Sequence, residues 1–132
     1  MTRLLSVSAA LAALTLAAGM TLLPGSAQAM GVSFSWSKSD ACASRSPAFR
    51  LSGVPRGVKR LRFQMRDLNM PSYYHGGGTV AYKGARVARG AFSYKGPCPP
   101  RGQSHKYRWT VRALDAKGKT VGTASAARAF RR

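Results

Sequence analysis

His105 and Tyr107 stand two residues apart where a Pro/Gly-dense loop gives way to an alternating run, within YKGPCPPRGQSHKYRWTVRALD at residues 94–115. An imidazole and a phenol can each hydrogen-bond an anion or a polar headgroup. Alternation places His105, Tyr107, Trp109, Val111 and Ala113 on one face, and Lys106, Arg108, Thr110 and Arg112 on the other. A rigid loop feeding polar side chains onto an apolar face is a common way to build a small pocket. Two further groups occupy similar junctions: Asp67 closes an earlier alternating run, and His75 precedes Gly76, Gly77 and Gly78. In one reading Asp67, His75 and His105 share a pocket with Tyr107 and the backbone amides near Gly76–Gly78 and Gly96. Consecutive glycines would let N–H groups approach a ligand closely. In the other reading the glycines form a flexible turn, His105 is structural and Asp67 caps its turn. Spacing alone leaves both open.

Catalytic chemistry finds little to work with. The chain holds only three acids, Asp40, Asp67 and Asp115, widely separated in sequence, so no carboxylate pair is apparent for acid/base catalysis. No G-x-S-x-G nucleophile motif occurs. Two histidines and Asp67 would give at most three metal ligands, without recognisable spacing. The expectation is a non-enzymatic protein with no cofactor and no metal.

The elements that must position these groups read as mostly β. Residues 32–36 alternate as a first strand, residues 48–51 begin a second, and residues 52–57 (SGVPRG) form a turn. Residues 58–67 are the clearest strand, with Leu61, Phe63 and Met65 on one side and Arg60, Arg62, Gln64 and Arg66 on the other. Residues 68–78 lack periodicity, residues 79–82 are short and β-prone, and residues 83–90 read as a polar connection. Asp115-Ala116-Lys117-Gly118 makes a hairpin turn leading to a strand at residues 120–123. Residues 124–132 suit either an Ala-rich helix or an extended basic tail.

The N-terminus reads as an export signal. Arg3 precedes an Ala/Leu-rich run over residues 4–23, Pro24-Gly25 breaks it, and Ala27-Gln28-Ala29 supplies an A-x-A cleavage box. Residues 1–29 are therefore expected to be a signal peptide, and residues 30–132 a single exported domain, periplasmic or secreted. With Arg3 removed, 21 of the 22 Lys and Arg remain against three Asp, a net charge of +18. Such a surface attracts polyanions, but it also describes a solvated basic sheet face. Export and the lack of a helix-turn-helix, zinc-finger or ribonucleoprotein motif argue against specific nucleic-acid binding. Cys42 and Cys98 form an even pair in an exported chain, which favours a disulfide.

Gly96-Pro97-Cys98-Pro99-Pro100-Arg101-Gly102, followed by His105 and Tyr107, resembles the G-P-x-P-P-x-G-x-x-H-x-Y motif of the phosphatidylethanolamine-binding protein family, which includes the bacterial Raf-kinase-inhibitor-like proteins. Ser46-Pro47-Ala48-Phe49, Gly53-Val54-Pro55 and residues 61–65 look like the family's opening strands. Asp67 and Pro71 match the ends of its D-P-D-x-P motif, with Leu68 and Asn69 in place of the central Pro and second Asp. The resemblance implies a small antiparallel β-sandwich with reduced helical elements. It also implies an anion pocket formed by Asp67, His75, Gly96, Pro97, His105 and Tyr107, with the shared-pocket reading favoured.

The leading expectation is an exported protein binding a phosphate-bearing or phospholipid-headgroup ligand. An alternative is a cationic protein acting by surface charge on an anionic membrane or envelope, with a vestigial pocket. A third reading, inhibition of proteases or kinases, rests only on activities known across the wider family.

Overall fold

A computed structural model describes residues 29–132; apart from Ala29, the expected signal peptide lies outside them. Within these residues seven strands make two antiparallel sheets, accompanied by one short 3₁₀ turn. The smaller sheet has the order β1-β2-β5, from Gly31–Phe34, Phe49–Ser52 and Arg86–Val87. The larger has the order β4-β3-β6-β7, from Gly77–Ala81, Arg60–Asp67, Ser104–Leu114 and Thr120–Arg131.

The alternation legible in β3 and β6 becomes a two-faced ladder because the two strands pair in full register, from Arg60 opposite Leu114 to Asp67 opposite Tyr107. One face holds Leu61, Phe63, Met65, Tyr107, Trp109, Val111 and Ala113, all buried. Across from it, the smaller sheet contributes Phe34, Phe49 and Leu51 to the same core. The Phe49 ring lies 4.6 Å from Phe63 and edge-on to Trp109 at 5.2 Å. Such aromatic contacts stabilise beyond simple burial, and here they join one sheet to the other as a sandwich.

Three sequence expectations need correction. Residues 124–132 take the extended alternative and not the helix, as a paired strand in place of a tail: β7 continues through Arg131 because every residue from Ala124 to Arg131 finds a partner on β6. Pairing and burial of Ala124 and Phe130 override the helical preference of an Ala-rich segment. The polar connection at residues 83–90 contains β5, whose Val87 is buried and pairs with Phe49. The Gly run is not a free turn, since β4 starts at Gly77 and pairs it with Gln64. A Cβ at Gly77 would collide with the Phe63 carbonyl, so that glycine serves close strand approach rather than mobility.

Candidate functional site

The loop after the third strand and the loop before the sixth meet over one end of the large sheet. Their junction encloses a cavity of about 260 Å³ lined by Asp67, Met70, Tyr73, His75, His105 and Tyr107, with Cys98 and Pro100 at its loop side. The four polar groups arrive from separate places in the sequence: Asp67 from the end of β3, His75 from the approach to β4, and His105 and Tyr107 from the start of β6.

Each group is held by a specific contact. His105 Nδ1 lies 2.7 Å from Asp67 Oδ2. The other carboxylate oxygen of Asp67 accepts the backbone N–H groups of Asn69 and Met70 at 2.8 and 3.1 Å. Burial by itself would raise the Asp67 pKa. The hydrogen bond to His105, the two backbone donors and the His105 charge outweigh it and hold the carboxyl below its ordinary value. Both oxygens being engaged, Asp67 orients His105 and has little capacity left for a ligand amine.

His75 is buried and set differently. Its Nδ1 lies 2.7 Å from the Lys95 carbonyl, while the Lys95 N–H donates to the His75 carbonyl at 2.8 Å. A backbone carbonyl can only accept, so His75 carries its proton on Nδ1 when neutral. Asp67 imposes the same preference on His105. In both rings Nε2 is therefore the nitrogen left for a ligand. The Tyr73 ring lies 4.6 Å from His75, and Lys95 Nζ is 5.8 Å from the Tyr73 ring centre.

Tyr107 is wholly buried, and among the described residues its hydroxyl has no hydrogen-bond partner, although the Asp67 carboxylate and the Cys98 backbone are nearby. Burial first, and then the Asp67 charge, push its pKa well above the ordinary tyrosine value. The phenol therefore stays protonated and able to donate. A buried, unpaired hydroxyl costs about 1–3 kcal/mol, which a ligand acceptor would relieve.

Gly96 and Pro97 stand behind this cavity and do not line it. The Gly96 N–H is already donated to the Ala43 carbonyl at 2.8 Å, and the Pro97 carbonyl accepts the Cys42 N–H at 2.8 Å. A Cβ at Gly96 would strike the Ala43 backbone. The Gly96 amide expected in the cradle is accordingly spent on seating the loop, because the turn at residues 40–43 passes close there. Cys42–Cys98 is a disulfide with Cα atoms 4.6 Å apart, consistent with an oxidising compartment. The loop's far end is latched by Arg132: Gly102 N–H donates to its carbonyl at 2.8 Å, and its own N–H donates to Gln103 at 3.2 Å.

Sequence reasoning missed Met70, Tyr73, Cys98 and Pro100 as lining residues. Cys98 and Pro100 were within reach, since they alternate along the same loop. Met70 and Tyr73 lie in a segment without periodicity. Asn69, at the position of the family's second Asp, accepts the Lys106 N–H at 2.7 Å and ties the loop to β6. Among the described residues no three His, Cys, Asp or Glu side chains are grouped to hold a metal ion.

Comparison with known proteins adds an independent line. The family model described as phosphatidylethanolamine-binding protein matches residues 74–131. The crystal structure of Escherichia coli YbcL, titled a new member of the mammalian PEBP family, superposes with a TM-score of 0.64 at 16% identity. That match covers 80% of this chain and 99% of YbcL. A putative phosphatidylethanolamine-binding protein homolog from Chlamydia trachomatis, CT736, gives a TM-score of 0.63 at 21% identity, covering 79% of this chain and 98% of its own. No curated protein matches the chain in sequence.

Proposed function

We propose that this chain, whose residues 74–131 match the phosphatidylethanolamine-binding protein family model, is an exported, non-enzymatic protein of that family. Its histidine cavity would receive a phosphoryl or similar anionic headgroup. The observation that carries this reading is the convergence of His75, His105 and the unpartnered Tyr107 hydroxyl on one cavity. Protonated, the two imidazoles offer Nε2–H donors, and Tyr107 adds a third. Asp67 and the Lys95 carbonyl fix the rings from behind, so little side-chain entropy is lost on binding. A cavity of about 260 Å³ lies below the ~300–1,000 Å³ of pockets for drug-sized ligands. It suits a headgroup rather than a whole lipid.

Titration with phosphate and with phosphoethanolamine, followed by imidazole NMR, tests this. Saturable shifts at His75 and His105 are expected. Unmoved histidines at millimolar ligand would overturn it.

The surface-charge reading keeps one observation in its favour. On the outer face of the large sheet Arg66 sits opposite Arg108 and Arg62 opposite Arg112, with no acid between them. If this face governs association, binding to anionic vesicles will collapse with added salt and ignore His105→Ala. Binding that survives salt but not that substitution sinks it.

A further inference from the structure

A second cavity, of about 640 Å³, lies away from the histidines, on the outside of the smaller sheet. Its construction follows from strand register. Ser33, Arg50 and Arg86 stand directly opposite one another across β1, β2 and β5. The next row, Phe34, Phe49 and Val87, is buried and faces the core. Alternation then returns the following row, Ser35, Ala48 and Ala88, to the outside, where all three are exposed. Small side chains in that row leave a hollow floor beside the arginine row. Arg128 closes one side from β7, whose backbone carbonyl there accepts the Trp36 indole N–H at 3.4 Å.

The charges in this basin are uncompensated. The chain's three acids are Asp40, Asp67 and Asp115. Asp40 meets Arg89 at 2.7 Å, Asp67 meets His105, and Asp115 accepts the Lys117 and Lys119 amides of its own turn. None reaches Arg50, Arg86 or Arg128. Like charges directly opposite across a strand pair are unfavourable, so Arg50 beside Arg86 gains from an anion placed between them. Guanidinium forks match the oxygens of phosphate and carboxylate in two-point geometry. The alanine floor offers apolar surface next to that head position.

We propose that this basin is a second binding site, separate from the histidine cavity, for a small amphiphilic oxyanion. The anionic head sits among Arg50, Arg86 and Arg128, and a short apolar body lies on Ala48 and Ala88. The proposal is independent of the histidine cavity's function.

The test uses hexyl phosphate, inorganic phosphate and hexylamine, with calorimetry for affinity and backbone amide NMR for location. Hexyl phosphate should bind saturably, tighter than inorganic phosphate, shifting the amides of Ser33, Arg50 and Arg86, while hexylamine leaves them unmoved. Arg50→Gln and Arg86→Gln should each weaken it about tenfold, the loss expected of a charged hydrogen bond. Arg108→Gln, which removes the same charge from the large sheet's outer face, should have little effect. Ala88→Leu, which fills the floor, should erase the advantage of the hexyl chain. Equal weakening by Arg108→Gln would show bulk charge attraction and overturn the site. So would shifts confined to His75 and His105, or equal affinity for phosphate and hexyl phosphate.

Discussion

The two histidines of the cavity face one ligand position but are anchored by opposite kinds of partner. His105 rests on a carboxylate side chain, Asp67, within the rigid β3–β6 ladder. His75 rests on a backbone carbonyl in a loop that a disulfide and a C-terminal latch hold in place. The first anchor depends on ionisation and the second on loop position. One wall of the site should therefore respond to acid, the other to reduction.

Reduction of Cys42–Cys98, or its replacement by serines, should have the largest effect. With 56 residues of separation, the chain-entropy model assigns the bond about 4 kcal/mol. Denaturant unfolding should show that loss, and amide exchange should show residues 94–103 opening before β6. If the His105 wall loosens as early as the loop, the division between the walls is wrong.

Asp67→Asn should act on the other wall, by about 2 kcal/mol, the scale of a hydrogen bond to a charged group. Because the folded Asp67 value is depressed, its contribution is fully present above about pH 4, the ordinary carboxylate value. It is lost as pH falls through the lower folded value. Unfolding measured between about pH 6 and 2 should lose this component in the wild type and lack it in Asp67→Asn. A variant retaining the same acid dependence would remove Asp67 as its source.

Tyr107→Phe should cost the least stability. Its hydroxyl has no hydrogen-bond partner among the described residues, so removing it should return up to about 1–3 kcal/mol to the fold while phosphate affinity falls about fivefold, one neutral hydrogen bond's worth. A large stability loss would mean that the hydroxyl is satisfied within the protein and is not held for a ligand.

What the sequence made legible follows physical rules. The β3 and β6 strands were readable because large apolar residues alternate with arginines, and the pairing Asp67 opposite Tyr107 then brings that end of the ladder to the cavity. The Asp115–Gly118 turn was readable from its own side chain, since Asp115 caps two amides of the turn locally. Residues 124–131 were not readable, because alanines carry little β signal and only the neighbouring strand decides their state. Gly96 was misread for a related reason. A glycine marks close approach without saying to what, and the partner proved to be the Ala43 backbone. Met70 and Tyr73 were lost in a segment organised by Asp67 and Asn69 capping bonds, which leave no periodic trace.

The Arg132 clasp couples the end of β7 to the mouth of the cavity. Arg132 hydrogen-bonds both Gly102 and Gln103, and its guanidinium lies 3.4 Å from Cys98 Sγ. The Pro-rich rim, with Cys98 and Pro100 on it, is therefore held from two directions, by the bond to Cys42 and by the residue that follows β7. Anything that drew Arg132 aside would leave both sheets paired while freeing the rim to swing. A contact made outside the cavity would thus be felt at its mouth.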